Sequence, residues 1–319
     1  MRSAAKSVGK ITIFTGIILI LIFFSFHKPV YSNSISRIQP KNIVLLNSYH
    51  VGFKWTDDIT DVFLSKMRLQ GYEITVFVEH INWKRYSTQE NLDKLYERLS
   101  YKYQSKTIDV IAVTDDMALE FVLEHRNEIF SSAPVVFAGV NEKSLRELGG
   151  GHENLTGVIE ALDMQRVLET LFKAQPDLER IYLLYDLTES GLSTGKSAYD
   201  SIHELRPDIE IYSFNSLTHE QVIDESAKIE GKSAIVFLAY TTDINGVVVE
   251  PEAFSKILSQ TTKVPIVATY DFHLGFGIVG GSMMSAKLHG ERLGEIAMQL
   301  LQGMDIDHIP IVYEPHLRT

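Results

Sequence analysis

The chain has 319 residues, 45% of them hydrophobic and 22% charged, with a formal charge of −11 and no cysteine. That length supports one large or two ordinary domains, each with its own core. The acidic balance, with a pI near 5.5, argues against a nucleic-acid partner, which needs a basic face. The missing thiols exclude disulfides, cysteine-based zinc sites and cysteine catalysis.

Arg2, Lys6 and Lys10 precede an uncharged apolar run from Ile11 to Phe26, and the polar stretch HKPVYSNS follows. The run is short for a membrane span and suits a signal peptide, with Val30-Tyr31-Ser32 leading to a cut after Ser32. The alternative is an uncleaved anchor with its basic flank inside. Either reading sets 1–35 apart as signal or anchor and places the remainder in the periplasm or on the outer face of the cytoplasmic membrane. Without cysteine there is no lipid-anchoring motif.

From residue 41 the chain alternates. β-rich runs cover 42–48, 73–80, 108–114 and 134–140, and a second set covers 180–186, 209–214, 233–240 and 264–270. Between them, Phe63, Leu64 and Met67 recur at helical spacing, as do Leu92, Leu95, Tyr96 and Leu99, and Val167, Leu168 and Leu171. Strands that are apolar throughout, separated by amphipathic helices, predict βαβ units and parallel sheets covered on both faces. Two sets of four strands predict two such sheets in tandem. An eight-stranded β/α barrel has the same strand count, and its usual length of about 250 residues does not exclude it. Residues 275–303 give a glycine-rich approach and a long helix carrying Leu293, Ile296, Ala297, Leu300 and Leu301, closed by Gly303. The stretch HIPIVYEPHLRT reads as a final strand or crossing segment.

The stretch SGLSTGKS, 190–197, lacks one glycine of the phosphate-loop pattern, because Ser190 stands where the first belongs. It follows the apolar run RIYLLYD and leads into a helix with Ala198, Ile202 and Leu205 on one face, Thr188 and Ser190 being candidate caps. The expected reading is a helix start whose N–H groups can receive a ligand carboxylate. No H-E-x-x-H and no G-x-S-x-G occurs, and His152-Glu153 sits in a glycine turn with no third ligand nearby. The triplet Asn154-Leu155-Thr156 matches a glycosylation site by chance.

The segments 45–59 (LLNSYHVGFKWTDDI), 109–130 (DVIAVTDDMALEFVLEHRNEIF), 134–141 (PVVFAGVN), 185–191 (YDLTESG) and 270–281 (YDFHLGFGIVGG) together carry a resemblance. The chain resembles the type I periplasmic binding proteins, and within them the ABC-transporter substrate-binding family. It is most similar to the version that serves as the extracytoplasmic sensor of bacterial histidine kinases and diguanylate cyclases. The resemblance implies an α/β chain of two Rossmann-like lobes with parallel sheets, joined by crossing strands, with ligand held between them. Mapped here, lobe 1 is 36–157 plus 278–303, and lobe 2 is 158–277 plus 304–319. The family continues beyond a stretch like Ile309 to Pro315, so a sequence ending at Thr319 is expected to act through a separate partner or to be a truncated product. The implied partners are a small molecule (an amino acid, purine or similar) and an ABC permease or a membrane sensor kinase or cyclase. No cofactor is implied.

In open parallel sheets ligands bind beyond the carboxyl ends of the strands, and this rule selects the same segments. After the first strand come Ser48, Tyr49 and Trp55, whose rings can stack a planar ligand or simply pack. After the third come Asp115 and Asp116. One of the pair is explained by capping, and the second is free to accept a hydrogen bond from a ligand ammonium. Asn141 ends the fourth strand as a ligand contact or a turn residue. Asp186, Tyr240 and Thr241 end strands of the second set, Gly191 matches the loop glycine that the resemblance implies, and Tyr270 and Asp271 lie at the second crossing. A binding protein is the reading these residues favour. The alternative is an exported α/β enzyme using Asp115, Asp116 or Asp271 as acid or base.

Overall fold

The computed structural model describes residues 40–68, 73–148, 153–313 and 317–318. The signal or anchor read over 1–35, and His152, lie outside the described residues. Among the described residues no helix is long and apolar enough to cross a membrane.

Strands β1 (Lys41–Asn47), β2 (Ile74–His80), β3 (Val110–Thr114), β4 (Val135–Asn141) and β5 (Leu155–Glu160) form one parallel sheet in the order β2-β1-β3-β4-β5. Strands β6 (Arg180–Leu184), β7 (Glu210–Ser213), β8 (Ser233–Phe237) and β9 (Ile266–Ala268) form a second, in the order β7-β6-β8-β9. Two separate sheets remove the barrel alternative and give the two Rossmann-like lobes that the resemblance implied.

The period of two explains the layering. Ile43 and Leu45 point to one face of the first sheet, against α1 (Lys54–Arg68), and Val44 and Leu46 point to the other, against α2 (Gln89–Tyr103) and α3 (Asp115–Ile129). Both faces are covered, so the strands are apolar throughout. A short helix, α4 (Glu142–Glu147), follows β4. In the second sheet α5 (Met164–Ala174) and α6 (Glu189–Leu205) bury Val167, Leu168, Leu171, Ala198 and Ile202 on one face. On the other, α7 (His219–Ser226) and α8 (Pro251–Thr261) bury Val222, Phe254 and Leu258. Helix starts follow side-chain acceptors: Asp163, Thr188 and Thr218 each accept a backbone N–H three residues on.

The chain crosses between the sheets twice. It leaves β5 at 161–163 for α5. It returns from β9 through a 3-10 turn at Asp271–His273 and a short strand, β10 (Met283–Met284), into α9 (Ala286–Leu301). Helix α9 lies along α1 on the first sheet, with Leu293, Ile296 and Ala297 in the core beside Ile59 and Phe63.

Two expected boundaries are corrected. The lobe 1 limit at 157 falls inside β5, a strand absent from the sequence reading, which has only the glycine turn around His152-Glu153 just before it. The tail assigned to lobe 2 joins lobe 1 instead, at least over its middle. Val312 donates to Gly157 O at 2.8 Å, Ile159 N donates to Val312 O at 3.0 Å, and Thr156 Oγ1 donates to Ile309 O at 2.8 Å. The exposed edge of β5 supplies unpaired backbone groups, and Ile309, Ile311 and Val312 supply apolar side chains to cover the sheet end.

Gly290 sets how close α9 can lie: a Cβ there would stand 2.7 Å from the Ile59 carbonyl oxygen. Gly290→Val should therefore destabilise the protein by about 1–3 kcal/mol. At about 2–4 °C per kcal/mol for a domain of this size, differential scanning calorimetry should record a fall of several degrees.

Candidate functional site

The order β2-β1-β3 reverses between β1 and β3, and β7-β6-β8 reverses between β6 and β8. Both switch points open at the carboxyl ends of their strands, where side chains from both lobes converge. Between them lies a narrow cavity.

On the lobe 1 side the cavity is built around Asp115, which opens α3. Its backbone is left-handed (φ 66°) and the residue is 3% exposed. Its Oδ1 accepts the indole N–H of Trp55 at 2.9 Å. Its Oδ2 is buried and has no hydrogen-bond partner among the described residues. Room for the pair comes from a bulge in β4. Gly139 takes a φ of 70°, and a Cβ there would approach Asp115 Oδ1 to 3.0 Å and the Trp55 ring to 3.4 Å. Burial pushes the Asp115 carboxyl well above the usual range, and the neighbouring carboxyls of Glu160 and Asp116 push it the same way.

Trp55 meets Tyr270 edge-on, ring centres 5.7 Å apart, and the Tyr270 hydroxyl donates to Glu160 Oε1 at 2.8 Å. Burial raises Glu160 to about 7, against the lowering effect of that hydrogen bond. Lys84, from the loop after β2, is the only lysine or arginine bordering the cavity among the described residues. Its ammonium lies 4.5 Å from the centre of the Tyr49 ring and 5.2 Å from that of Phe53. It reaches across the cleft to donate to Thr241 Oγ1 at 3.3 Å. Burial lowers its pKa, while Asp186, Asp115 and Glu160 support its charge. The far wall is Ser190 at the start of α6, Leu238 to Thr241 after β8, Pro251, and the crossing residues Tyr270, Phe272 and His273. Burial lowers His273 to about 3, so this ring is neutral at physiological pH. A wider outer chamber adjoins, sharing Tyr49, Lys84, Ser190 and Thr241 and bordered by Asp116.

Tyr49, Trp55, Asp115, Tyr240, Thr241 and Tyr270 thus border the inner cavity and Asp116 the outer chamber. The other expected site residues are occupied elsewhere. Ser48 is fully buried, donates to Thr114 O at 2.7 Å and accepts from Ala118 N at 2.8 Å, tying β1 to α3. Asn141 gives its backbone N–H and its side-chain amide to Asp116, at 2.9 and 2.6 Å. Asp186 accepts from Thr188 and from Thr241 N and Oγ1, at 2.6 and 2.7 Å for Thr241, so both of its oxygens are taken by protein partners. Asp271 opens the 3-10 turn and borders neither chamber. Lys84, Glu160, Phe53, Phe272 and His273 were missed. Lys84 was within reach of the rule already used, since it follows the carboxyl end of β2. Glu160 was hidden because its strand was. Among the described residues no group of three or more acidic or histidine side chains could hold a metal ion.

The phosphate-loop imitation resolves as a helix. Residues 190–197 lie wholly inside α6, whose N-cap is Thr188. Lys196 is exposed and pairs with Asp200 one turn on. Gly191 is required by packing: a Cβ would stand 2.1 Å from Asp186 Oδ1 and 2.3 Å from its carbonyl oxygen.

No family model matches the chain. It is 24% identical over 187 residues to the tyrosine-binding protein of Clostridioides difficile strain R20291, a match covering 56% of this chain. The chain spans about half, 51%, of that relative's length. Its fold matches that of the ABC domain in complex with L-Trp from Streptococcus pneumonia, with a TM-score of 0.62, 17% identity, and 86% of this chain and 90% of that one covered. It also matches the ligand-free, open structure of a substrate-binding protein with adhesive properties from Clostridium difficile. There the TM-score is 0.58 at 17% identity, covering 85% and 88% of the two chains. The fold is that of the type I periplasmic binding proteins.

Lys196→Ala should leave the unfolding midpoint within about 0.5 kcal/mol of wild type, as expected for an exposed pair. Gly191→Val should cost about 1–3 kcal/mol by overpacking the turn around Asp186. Urea unfolding of the two variants measures both.

Proposed function

We propose that this protein is an extracytoplasmic substrate-binding protein that closes its two lobes on an aromatic amino acid and presents it to an ABC permease. The observation that carries the reading is the cavity itself. It has aromatic walls, a buried carboxylate oxygen without a partner on one lobe, and one lysine at its border.

The chemistry follows from those groups. An ionised carboxylate taken out of water costs several kcal/mol unless it is paired. The ligand ammonium meets Asp115 Oδ2 and supplies that pairing as a charge-assisted hydrogen bond. The ligand carboxylate meets Lys84 Nζ and the amino end of α6 at Ser190. The ring enters among Tyr49, Trp55 and Tyr270, and burying an aromatic side chain of 150–250 Å² is worth about 4–6 kcal/mol. Ligand contacts from both lobes exist only when the cleft is shut, so the ligand favours the closed state by its differential affinity. The names of the relatives, a tyrosine-binding protein and a domain bound to L-Trp, support this ligand class. The cavity carboxyls serve as ligand partners rather than as an acid–base pair, and binding without turnover is expected. The apolar run after Arg2, Lys6 and Lys10 supports export.

Both tryptophans of the chain border the cleft, Trp55 the inner and Trp83 the outer chamber. L-tyrosine, L-tryptophan and L-phenylalanine should therefore change the intrinsic fluorescence on mixing and raise the melting temperature, whereas myo-inositol should do neither. Indifference to all three amino acids in both measurements would refute the reading. Asp115→Asn should weaken binding about 100-fold, about 2.7 kcal/mol. The same variant should be at least as stable as wild type without ligand at pH 7. The folded-state pKa of Asp115 is raised, so the ionised carboxylate detracts from stability above the unfolded value, and the neutral amide removes that penalty.

A further inference from the structure

We propose that His273 is a specificity-determining residue of the cleft, a fixed hydrogen-bond acceptor that selects aromatic amino acids carrying an O–H or N–H donor on the ring. The proposal rests on the reading of the cleft as an aromatic amino-acid site.

The two sides of the inner cavity differ in charge. Lys84, Asp115 and Glu160 all come from the first lobe, whereas the border supplied by the second lobe and the crossing segment carries no charged side chain. The charged head of an amino acid is therefore held on the first side, and its side chain points to the second. His273 stands on that second side, at the end of the 3-10 turn between β9 and β10.

The tautomer of His273 follows from counting protons. The ring is buried, and burial keeps it neutral. A neutral imidazole has one N–H and one acceptor nitrogen. Nδ1 lies 2.7 Å from Ser255 Oγ, on α8. Ser255 Oγ also lies 2.7 Å from the Pro251 carbonyl oxygen, one turn earlier. A carbonyl oxygen can only accept, so the single hydroxyl proton of Ser255 goes to Pro251. The bond to the ring must then run the other way, with Nδ1–H donating to Ser255 Oγ. Nε2 is left with a lone pair and no proton. Among the described residues Nε2 makes no hydrogen bond. The ring is packed against Phe237 and Phe272, ring centres 4.2 and 4.6 Å away, so its orientation is fixed. The inner cavity, which the ring borders, is the space left for a partner of Nε2.

A buried acceptor without a donor costs free energy, and a ligand that brings the donor recovers it. A tyrosine phenol or a tryptophan indole does so. Phenylalanine brings none and leaves Nε2 unpaired once the cleft has shut. Sites built to bond a ligand hydroxyl reject the analogue that lacks it for this reason. Tyr240, on the same wall, also has a buried hydroxyl with no partner among the described residues. A hydroxyl donates as readily as it accepts, however, so the demand for a donor is set by His273.

Isothermal titration with four amino acids of similar shape tests this. L-tyrosine and 4-amino-L-phenylalanine carry a donor at the ring tip, and L-phenylalanine and 4-fluoro-L-phenylalanine do not. Wild type should bind the first pair about 10- to 100-fold more tightly than the second. His273→Leu should bring that ratio to within about threefold of one. Ser255→Ala removes the group that fixes the tautomer and should lower the ratio from a position that does not border the cavity. Nitrogen-15 NMR of the ligand-free protein should show His273 protonated at Nδ1 and bare at Nε2, and Ser255→Ala should populate both tautomers, a change that a merely structural serine would not produce. The spectrum of wild type is informative whether or not His273→Leu folds. Equal affinity for tyrosine and phenylalanine, an unchanged ratio in a folded His273→Leu, or a proton on Nε2 in wild type would overturn the proposal and leave the amino-acid reading standing. Binding of none of the four would overturn both.

Discussion

The cleft depends on one carboxylate that has been removed from water. Asp115 is held in a left-handed conformation at the start of α3, with one oxygen bonded to Trp55 and the other left open. Such a group persists only because its surroundings over-determine it. The Gly139 bulge makes the space, Trp55 occupies one acceptor, and the amino end of α3 offsets part of the charge. What remains is an unmet demand for a cation in a cavity whose walls are largely aromatic. In the proposed function a ligand ammonium meets that demand.

The architecture around this group divides into parts that are fixed and parts that can move. Each sheet is covered on both faces by its own helices, so the strand ends that carry the site stand on packed layers. Asp186 locks the second wall by accepting from Thr188 and Thr241, and Ser48 locks the first by joining β1, β3 and α3. Across the cleft itself, beside the Tyr49–Ser190 hydrogen bond, runs a long hydrogen bond from Lys84 to Thr241. A lobe movement that breaks it costs little, because both partners are polar and meet water when the cleft opens. Rigid walls with a weak latch suit a site whose closure is to be decided by the ligand.

The layers were legible because their signals are local. Ile43 to Leu46 announce a strand buried on both faces, and Val167, Leu168 and Leu171 announce a helix face, each within one or two turns of chain. The rule that ligands lie beyond strand ends then picked out Tyr49, Trp55, Asp115, Thr241 and Tyr270, which the structure brings to the border of one cavity. The same rule gave Asn141, Asp186 and Ser48, which lie in equivalent positions but whose polar atoms are taken by protein partners. Position along a strand is a local property, whereas satisfaction of a hydrogen bond is not. Strand β5 failed for the opposite reason. Its local signal is weak, with Gly157 at its centre, and it is held by β4 on one side and by residues near Val312 on the other. Losing the strand also concealed Glu160 at its end.

By itself the sequence determined the layers: alternation of period two for the strands, 3.6 for the helices, and turn and cap residues between them. It also determined the supply of side chains at the strand ends. Only the tertiary structure decided which of those side chains stay free. Trp55 and Asp115 are 60 positions apart, Lys84 and Thr241 are 157, and Glu160 and Tyr270 are 110. The physical reason is that burial and pairing depend on which distant atoms arrive at the same place. An acid becomes a binding group only when every neighbour but one has been accounted for.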